Sequence, residues 1–533
     1  MKKTHILQLL MVSLLFCIPS AVAQYNIIPQ PNSIKAGEGY YQLSKAADIQ
    51  FSDITNKSRR RLTDYLIGAG FSIGTGKTAV SKIRLEVGQQ SQFPESDEGY
   101  RLVVNPSEIN ISARSETGLF YGIQTLLQLI TADRTVPSVT VSDFPRFPYR
   151  GVHIDVSRHF YSIDFVKKHL DMMAHLKINR FHWHITDGPG WRLEIKKYPL
   201  LTQVAAWRTH QSWKDWWATN PRKYTDIRSG EKAYGGFYTQ KEAREIVQYA
   251  AERHITVIPE IEMPGHSEEV LAVYPQLACT GKPYTQSEFC IGNEQTFTFL
   301  QHVLKEVMTI FPSEYIHIGG DEADKSHWKK CPKCQARMKK EGLKDENELQ
   351  SYLIKRIEKF LNKHNRKLLG WDEILEGGLA PEATVMSWRG EGGGIAAAKS
   401  GHDAIMTPGE YMYFDTYQAN PDTQPEAIGG FLPLEKVYSY NPVPKDLTAD
   451  ETRHILGVQS NLWTEYIGSE QHADYMLYPR VLALSEVAWT NSGNKDWNDF
   501  KRRANQKIPF LQSKGINTFT LSDEVAFAHA VDT

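Results

Sequence analysis

The sequence predicts an α/β protein, a (β/α)8 TIM barrel preceded by a small α+β domain. Three observations carry that reading. After Arg150, short apolar runs alternate with polar loops and amphipathic helix candidates, the pattern of a parallel sheet. Eight such runs fall within roughly 350 residues, which suits an elaborated barrel. Before Arg150 the rhythm is mixed, and Asp143-Phe144-Pro145-Arg146-Phe147-Pro148 marks a stiff, extended connection between the two parts.

In the first part, residues 101–104 and 108–112 read as strands with Pro106 in the turn between them. Residues 115–129 then read as a helix, with Leu119, Ile123, Leu126 and Leu127 at helical spacing. In the second part the strand-like runs are 151–156, 178–185, 255–261, 315–318, 367–371, 384–388, 403–406 and 455–462. Helices are predicted between them, for example over 163–176, 241–252, 297–311 and 348–364. A doubly wound open sheet is the alternative, but no glycine-rich dinucleotide fingerprint follows any strand. The predicted division is a leader at 1–23, an α+β domain at 24–145, and a barrel with a C-terminal helical extension at 146–533.

The leader rests on Lys2 and Lys3, an apolar run from Ile6 to Ile18, and Ala21-Val22-Ala23 before Gln24. That run is shorter than the ~20 residues of a membrane-spanning helix. The expectation is export to a periplasmic or extracellular space, with no membrane span. A net charge of -1 favours neither nucleic acid nor anionic lipid as a partner and suits an uncharged ligand. Of five cysteines, Cys17 leaves with the leader, and Cys279 and Cys290 are close enough for a loop-closing disulfide. Cys331-Pro332-Lys333-Cys334 reads as a small disulfide, a free pair or half of a zinc site. With no second Cys/His pair at matching spacing, neither metal nor cofactor is expected.

Polar residues gather just beyond the C-terminal ends of the predicted strands, the face on which barrels build their sites. They include Arg158 after the first strand, Asp187 after the second, His266 after the third, and Asp321-Glu322 after the fourth. Trp371, Trp388 and Trp463 end three further strands, while Tyr413, Asp415 and Glu465 lie in or next to the last loops. Neighbouring residues on a regular strand point to opposite faces, so Asp321 and Glu322 share a pocket only if the strand breaks; Gly319-Gly320 permits that. Two carboxyls held close do not both ionise easily, and one proton retained near neutrality is what protonating a glycosidic oxygen requires. Three convergent indoles would form an apolar box for a methyl group and a sugar face.

Four segments together resemble glycoside hydrolase family 20, whose members are β-N-acetylhexosaminidases. They are His317-Ile318-Gly319-Gly320-Asp321-Glu322, Pro259-Glu260-Ile261-Glu262-Met263-Pro264-Gly265-His266, Gly370-Trp371-Asp372-Glu373, and Asp155 through Phe160. The resemblance covers essentially the whole chain after the leader. It implies Glu322 as general acid and then base, and Asp321 as the carboxylate orienting the substrate's acetamido group. Tyr413 would hydrogen-bond the acetamido oxygen, which itself attacks the anomeric carbon. Trp371, Trp388 and Trp463 would enclose the methyl group, Arg158, Asp415 and Glu465 would hold outer hydroxyls, and Asp187 and His266 would support the acid. The implied partner is a glycan or chitooligosaccharide.

One loop departs from the family pattern: Asp187 is followed by Gly188-Pro189-Gly190-Trp191. An insert over 207–237 carries Trp213, Trp216 and Trp217, and reads as a wall of the leaving-group side, a homo-oligomer contact or a packed loop. Three rival readings remain. One is a metal-dependent hydrolase built on His153, His182, His184, His266 and Asp321. Another is a two-carboxylate retaining glycosidase using Glu260, Glu262 or Glu465 as nucleophile. The last is a sugar-binding protein without catalysis.

Overall fold

The computed structural model describes residues 25–523 except 45, 75–80 and 89–93, so the expected leader lies outside the described residues. The first part is a seven-stranded mixed sheet. Its strands are β1 (Ser33–Gln42), β2 (Ala46–Ser52), β3 (Ser72–Ile73), β4 (Ser81–Val87), β5 (Tyr100–Asn105), β6 (Glu108–Ala113) and β7 (Thr135–Asp143), ordered β1-β7-β5-β6-β4-β2-β3. Sequence patterning finds only β5 and β6 here. β3 has two residues and β1 exposes most of its own, which gives period-two hydrophobicity little to act on, whereas β4 and β7 do alternate in burial and are missed. The helix Glu116–Leu129 begins where Ser115 caps it, its side chain accepting from the Gly118 amide.

Eight parallel strands close the second part. They are β8 (Tyr149–Asp155), β9 (Arg180–His184), β12 (Thr256–Glu260), β13 (Tyr315–His317), β14 (Lys367–Trp371), β15 (Thr384–Ser387), β16 (Ala404–Met406) and β17 (Ile455–Leu462), with β17 pairing back to β8. Seven of the predicted runs contain one of them, and the run 151–156 overlaps β8, which starts two residues earlier. The insert adds an unpredicted antiparallel ribbon, β10 (Trp207–Arg208) with β11 (Tyr234–Gly235). The closed circuit excludes the open-sheet alternative. Helices predicted over 297–311 and 348–364 start earlier, at Glu294 and Glu346, because Asn293 and Asp345 cap them through their side chains.

The two parts are locked together by buried charge. Asp143, at the end of β7, accepts from Lys177 Nζ at 2.9 Å, Tyr100 at 2.7 Å and Trp489 Nε1 at 3.0 Å. Arg150, at the start of the barrel, makes a two-pronged contact with Glu98 at 2.8 Å. The C-terminal helix Trp497–Ser513 adds a third tie: Arg503 bonds Glu486 at 2.6 Å and the Ile27 carbonyl at 3.0 Å.

Candidate active site

Strand register decides what faces the barrel mouth. Asp155 pairs with His184, His184 with Glu260, and Glu260 with His317, so four adjacent strands place one polar layer at their C-terminal ends. Glu260 is the hub of that layer. It accepts from Trp371 Nε1 at 2.8 Å and from His184 Nδ1, and it lies 3.0 Å from His182 Nε2 and 2.9 Å from His317 Nδ1. Gln459 donates to His182 Nδ1 at 3.0 Å, which leaves the other His182 nitrogen to carry a proton towards Glu260. Burial resists charging Glu260, but the surrounding imidazoles hold its carboxyl well below the usual range. Burial also resists charging His184, yet Glu260 and Asp187 push it up to about 10; His182, by contrast, is held down at about 4 by burial. One histidine–carboxylate ion pair therefore sits inside the barrel.

Above this layer β13 breaks. Gly319 and Gly320 adopt φ of +68° and +101°, which a side chain would strain, and a Cβ on Gly319 would fall 1.8 Å from the Glu262 carboxyl. Glu322 itself sits at φ +48°, as does His266 on the facing segment after β12. The two backbones thereby bring His266 Nε2 to 3.5 Å from both Asp321 Oδ2 and Glu322 Oε2, with His266 Nδ1 3.3 Å from Asp187. Burial opposes a charge on His266, but Asp187 and Asp321 hold its pKa well above the ordinary value. The paired carboxyls diverge in the opposite sense to a simple acid assignment. Burial raises Asp321 to about 6, with the charges of Glu260 and Glu322 adding to the rise, whereas the hydrogen bond from His266 lowers Glu322. The reason is exposure: the Glu322 side chain is 60% accessible and that of Asp321 only 12%.

The aromatic residues form a continuous arc. Trp371 and Trp463 meet at 5.7 Å, Trp463 and Tyr413 at 6.3 Å, and Tyr413 stacks on Trp388 at 6.0 Å and 13°. Trp388 Nε1 donates to Glu373 at 3.0 Å, and burial followed by the charge on Asp321 raises Glu373 to about 7. Burial also holds the Tyr413 phenol well above its ordinary value, with Asp415 and Asp321 contributing, so Asp321 couples the acid pair to the arc. On the other side Arg158 stands over the Trp463 ring at 5.0 Å. It reaches Asp187 at 2.8 Å, Asp155 at 3.3 Å and Glu465 at 3.6 Å. Asp415 is buried with one carboxylate oxygen unpartnered; burial and the Glu465 charge push it up to about 8.

All eleven candidate residues from the sequence thus converge on one mouth. Three further contributors stood outside those eleven. Asp155 fastens the ends of β8 and β17 by accepting from the Thr464 amide at 3.0 Å and from the Ser157 amide at 2.8 Å. Glu262 is buried beneath Gly319 with both carboxyl oxygens unpartnered, and burial and Asp321 push its pKa well up. Glu373 anchors Trp388. Each stood in a motif quoted from the sequence, but only its burial and its partners give it a place.

The catalytic-domain model of glycosyl hydrolase family 20 matches residues 147–492, and the model of that family's domain 2 matches residues 24–144. The chain belongs to glycosyl hydrolase family 20. A β-hexosaminidase of Porphyromonas gingivalis is 46% identical over 523 residues, 94% of this chain; the chain spans 65% of that relative's length. The exo-β-N-acetylglucosaminidase of Vibrio harveyi, solved with N-acetylglucosamine, superposes with a TM-score of 0.81 at 31% identity, over 93% of this chain and 79% of that one. A β-N-acetylhexosaminidase from Bacteroides fragilis gives 0.78 at 31% identity, over 92% and 96%.

Within this family-20 chain, the departing loop and the insert are packed structure. Tyr224 from the insert donates to the Gly188 carbonyl at 2.5 Å, Trp216 is buried, and Trp213 meets Tyr466 at 5.6 Å beside Glu465. Three histidines of the metal-hydrolase reading fall into two groups, His153–His182–Glu260 and His184–Asp187–Glu262, that place ligand atoms within 4.8 Å; His266 and Asp321 are in neither. His182 is engaged by Gln459, His184 by Glu260 and Asp187, and Asp187 also by Arg158. Sequence spacing allows a Cys279–Cys290 disulfide. These two cysteines are not joined: Cys279 approaches Cys334 at 3.7 Å, and Cys290 approaches both Cys331 and Cys334 at 3.7 Å. The chain folds the loop after β12 against the segment after β13, a pairing that sequence spacing does not encode.

Proposed function

We propose that this chain removes terminal β-linked N-acetylhexosamine from glycans or chitooligosaccharides by a retaining, substrate-assisted mechanism. The observation that carries the proposal is the Asp321–Glu322–His266 cluster, opening beside an arc of Trp371, Trp463, Tyr413 and Trp388. Glu322 protonates the departing glycosidic oxygen while the acetamido carbonyl oxygen attacks the anomeric carbon. The product of that step is a cyclic oxazolinium, whose nitrogen charge Asp321 balances. Glu322, now ionised, takes a proton from water, and the water oxygen opens the ring with net retention. The low pKa of Glu322 belongs to the open site; a sugar covering it removes water and favours the protonated form. Arg158, Asp415 and Glu465 stand where outer hydroxyls of the bound sugar need partners.

The two-carboxylate alternative finds its nucleophiles buried or paired. Glu260 is held inside the barrel by Trp371 and His184, Glu262 is buried under Gly319, and Glu465 faces Arg158. The relatives' names support N-acetylated substrates, and the leader-like segment 1–23 supports export. The deciding experiment compares chromogenic β-N-acetylglucosaminide with the matching β-glucoside and adds a thiazoline mimic of the cyclic intermediate. Turnover of the acetamido substrate alone, with inhibition by the thiazoline, is the expected result. Equal turnover of both sugars overturns the mechanism.

A further inference from the structure

The four cysteines that follow β12 and β13 have no role in the chemistry above. Cys290, Cys331 and Cys334 are buried and Cys279 is half-buried. All four sulfurs lie within 4.8 Å of one another, and three of the separations are 3.7 Å. Bonded sulfurs would stand at ~2.05 Å. Four thiolates on a tetrahedral metal with bonds of ~2.3 Å stand ~3.8 Å apart, the spacing that this cluster shows. Cys290 is equidistant from two partners, which suits a shared centre and not a pair.

The surroundings are built for close approach. Gly292 donates its amide to Cys334 Sγ at 3.4 Å, and a Cβ there would fall 2.1 Å from the Lys333 backbone. Trp328 Nε1 donates to the Phe289 carbonyl at 2.9 Å and joins the same two segments alongside. Cys331 and Cys334 supply a two-residue spacing at the start of the helix Pro332–Glu341, a common half of a structural zinc site.

We propose that Cys279, Cys290, Cys331 and Cys334 bind one zinc ion in a closed tetrathiolate site. Binding breaks the S–H bonds, releases their protons to solvent and forms four Zn–S bonds, with no change of oxidation state. The ion clamps the segment bearing His266 to the segment bearing Glu322. It acts on positioning and stability and leaves no open coordination for substrate.

The test is elemental analysis and native mass spectrometry of the full chain purified without chelator, followed by zinc K-edge absorption. The expected outcome is one zinc per chain with four sulfur neighbours at ~2.3 Å, and four thiols titratable only after denaturation with chelator. In Cys331→Ser and Cys279→Ser the zinc content should fall from one towards zero, and the melting temperature should drop with it. A metal-free wild-type chain overturns the proposal, whether it carries two disulfides, read as a mass four hydrogens lower, or four titratable thiols. Metal content is read independently of turnover, so this result stands apart from the fate of the hexosaminidase reading.

Discussion

Glu260 and Glu322 sit at the same end of the same barrel, each beside histidine, yet they are built for opposite ends. Glu260 is fully buried and met by Trp371, His182, His184 and His317. Glu322 is largely exposed and has a single imidazole at 3.5 Å. A fully buried carboxylate held by an indole and ringed by imidazoles cannot exchange a proton with a sugar without breaking the barrel's polar layer. One with spare capacity at an opening can. The difference between scaffold and reagent here lies in burial and solvent access, not in residue type.

The largest expected effect tests the exposed member. Glu322→Gln should lower kcat/KM by about 10²–10⁴-fold while the melting temperature stays at the wild-type value, because the side chain contributes little packing. Glu260→Gln should invert that pattern and cost about 3–5 kcal/mol in denaturant unfolding, since it removes one of the two carboxylates that balance the buried His184 charge. Equal stability losses in the two variants would erase the contrast drawn between them.

Asp321 stands between the extremes, and its pKa near 6 sharpens the comparison. Asp321→Asn should reduce turnover by about 10²–10³-fold. In the wild type, activity should rise with pH through about 6 as Asp321 ionises. Stability should move the other way. A folded pKa raised above 3.8 gives a contribution that is complete below that value and lost as pH climbs through about 6. Kinetic and thermal pH profiles of the two proteins should show both limbs in the wild type and neither in the variant. The smallest effect is expected at Trp217, exposed on the insert: replacement by Ala should change stability by no more than about 0.5 kcal/mol. A large loss of turnover there would mean that the insert touches the glycan.

Much of the site was legible because barrel strands announce themselves as short apolar runs and their C-terminal ends carry the chemistry. Asp321 and Glu322 were marked by the two preceding glycines, and Trp371, Trp388 and Trp463 by their places at strand ends. Glu262 was harder to place, because an acidic residue one turn past a strand reads as polar loop until Gly319 is seen lying over it. Most of the first sheet was also hidden, since edge strands such as β1 expose nearly every residue and lose their periodicity.

What the sequence determined by itself is local and periodic: eight strand runs, the helix faces, the glycine break before the acid pair and the residue types at each strand end. These depend on neighbours within a few positions, where sterics and hydrophobic spacing act directly. The tertiary structure alone decided which carboxyl is shielded and which is open, that His266 bridges Asp187 to both members of the pair, and that four cysteines from two loops meet. Those outcomes depend on burial and on contacts between distant segments, and no spacing along the chain records either.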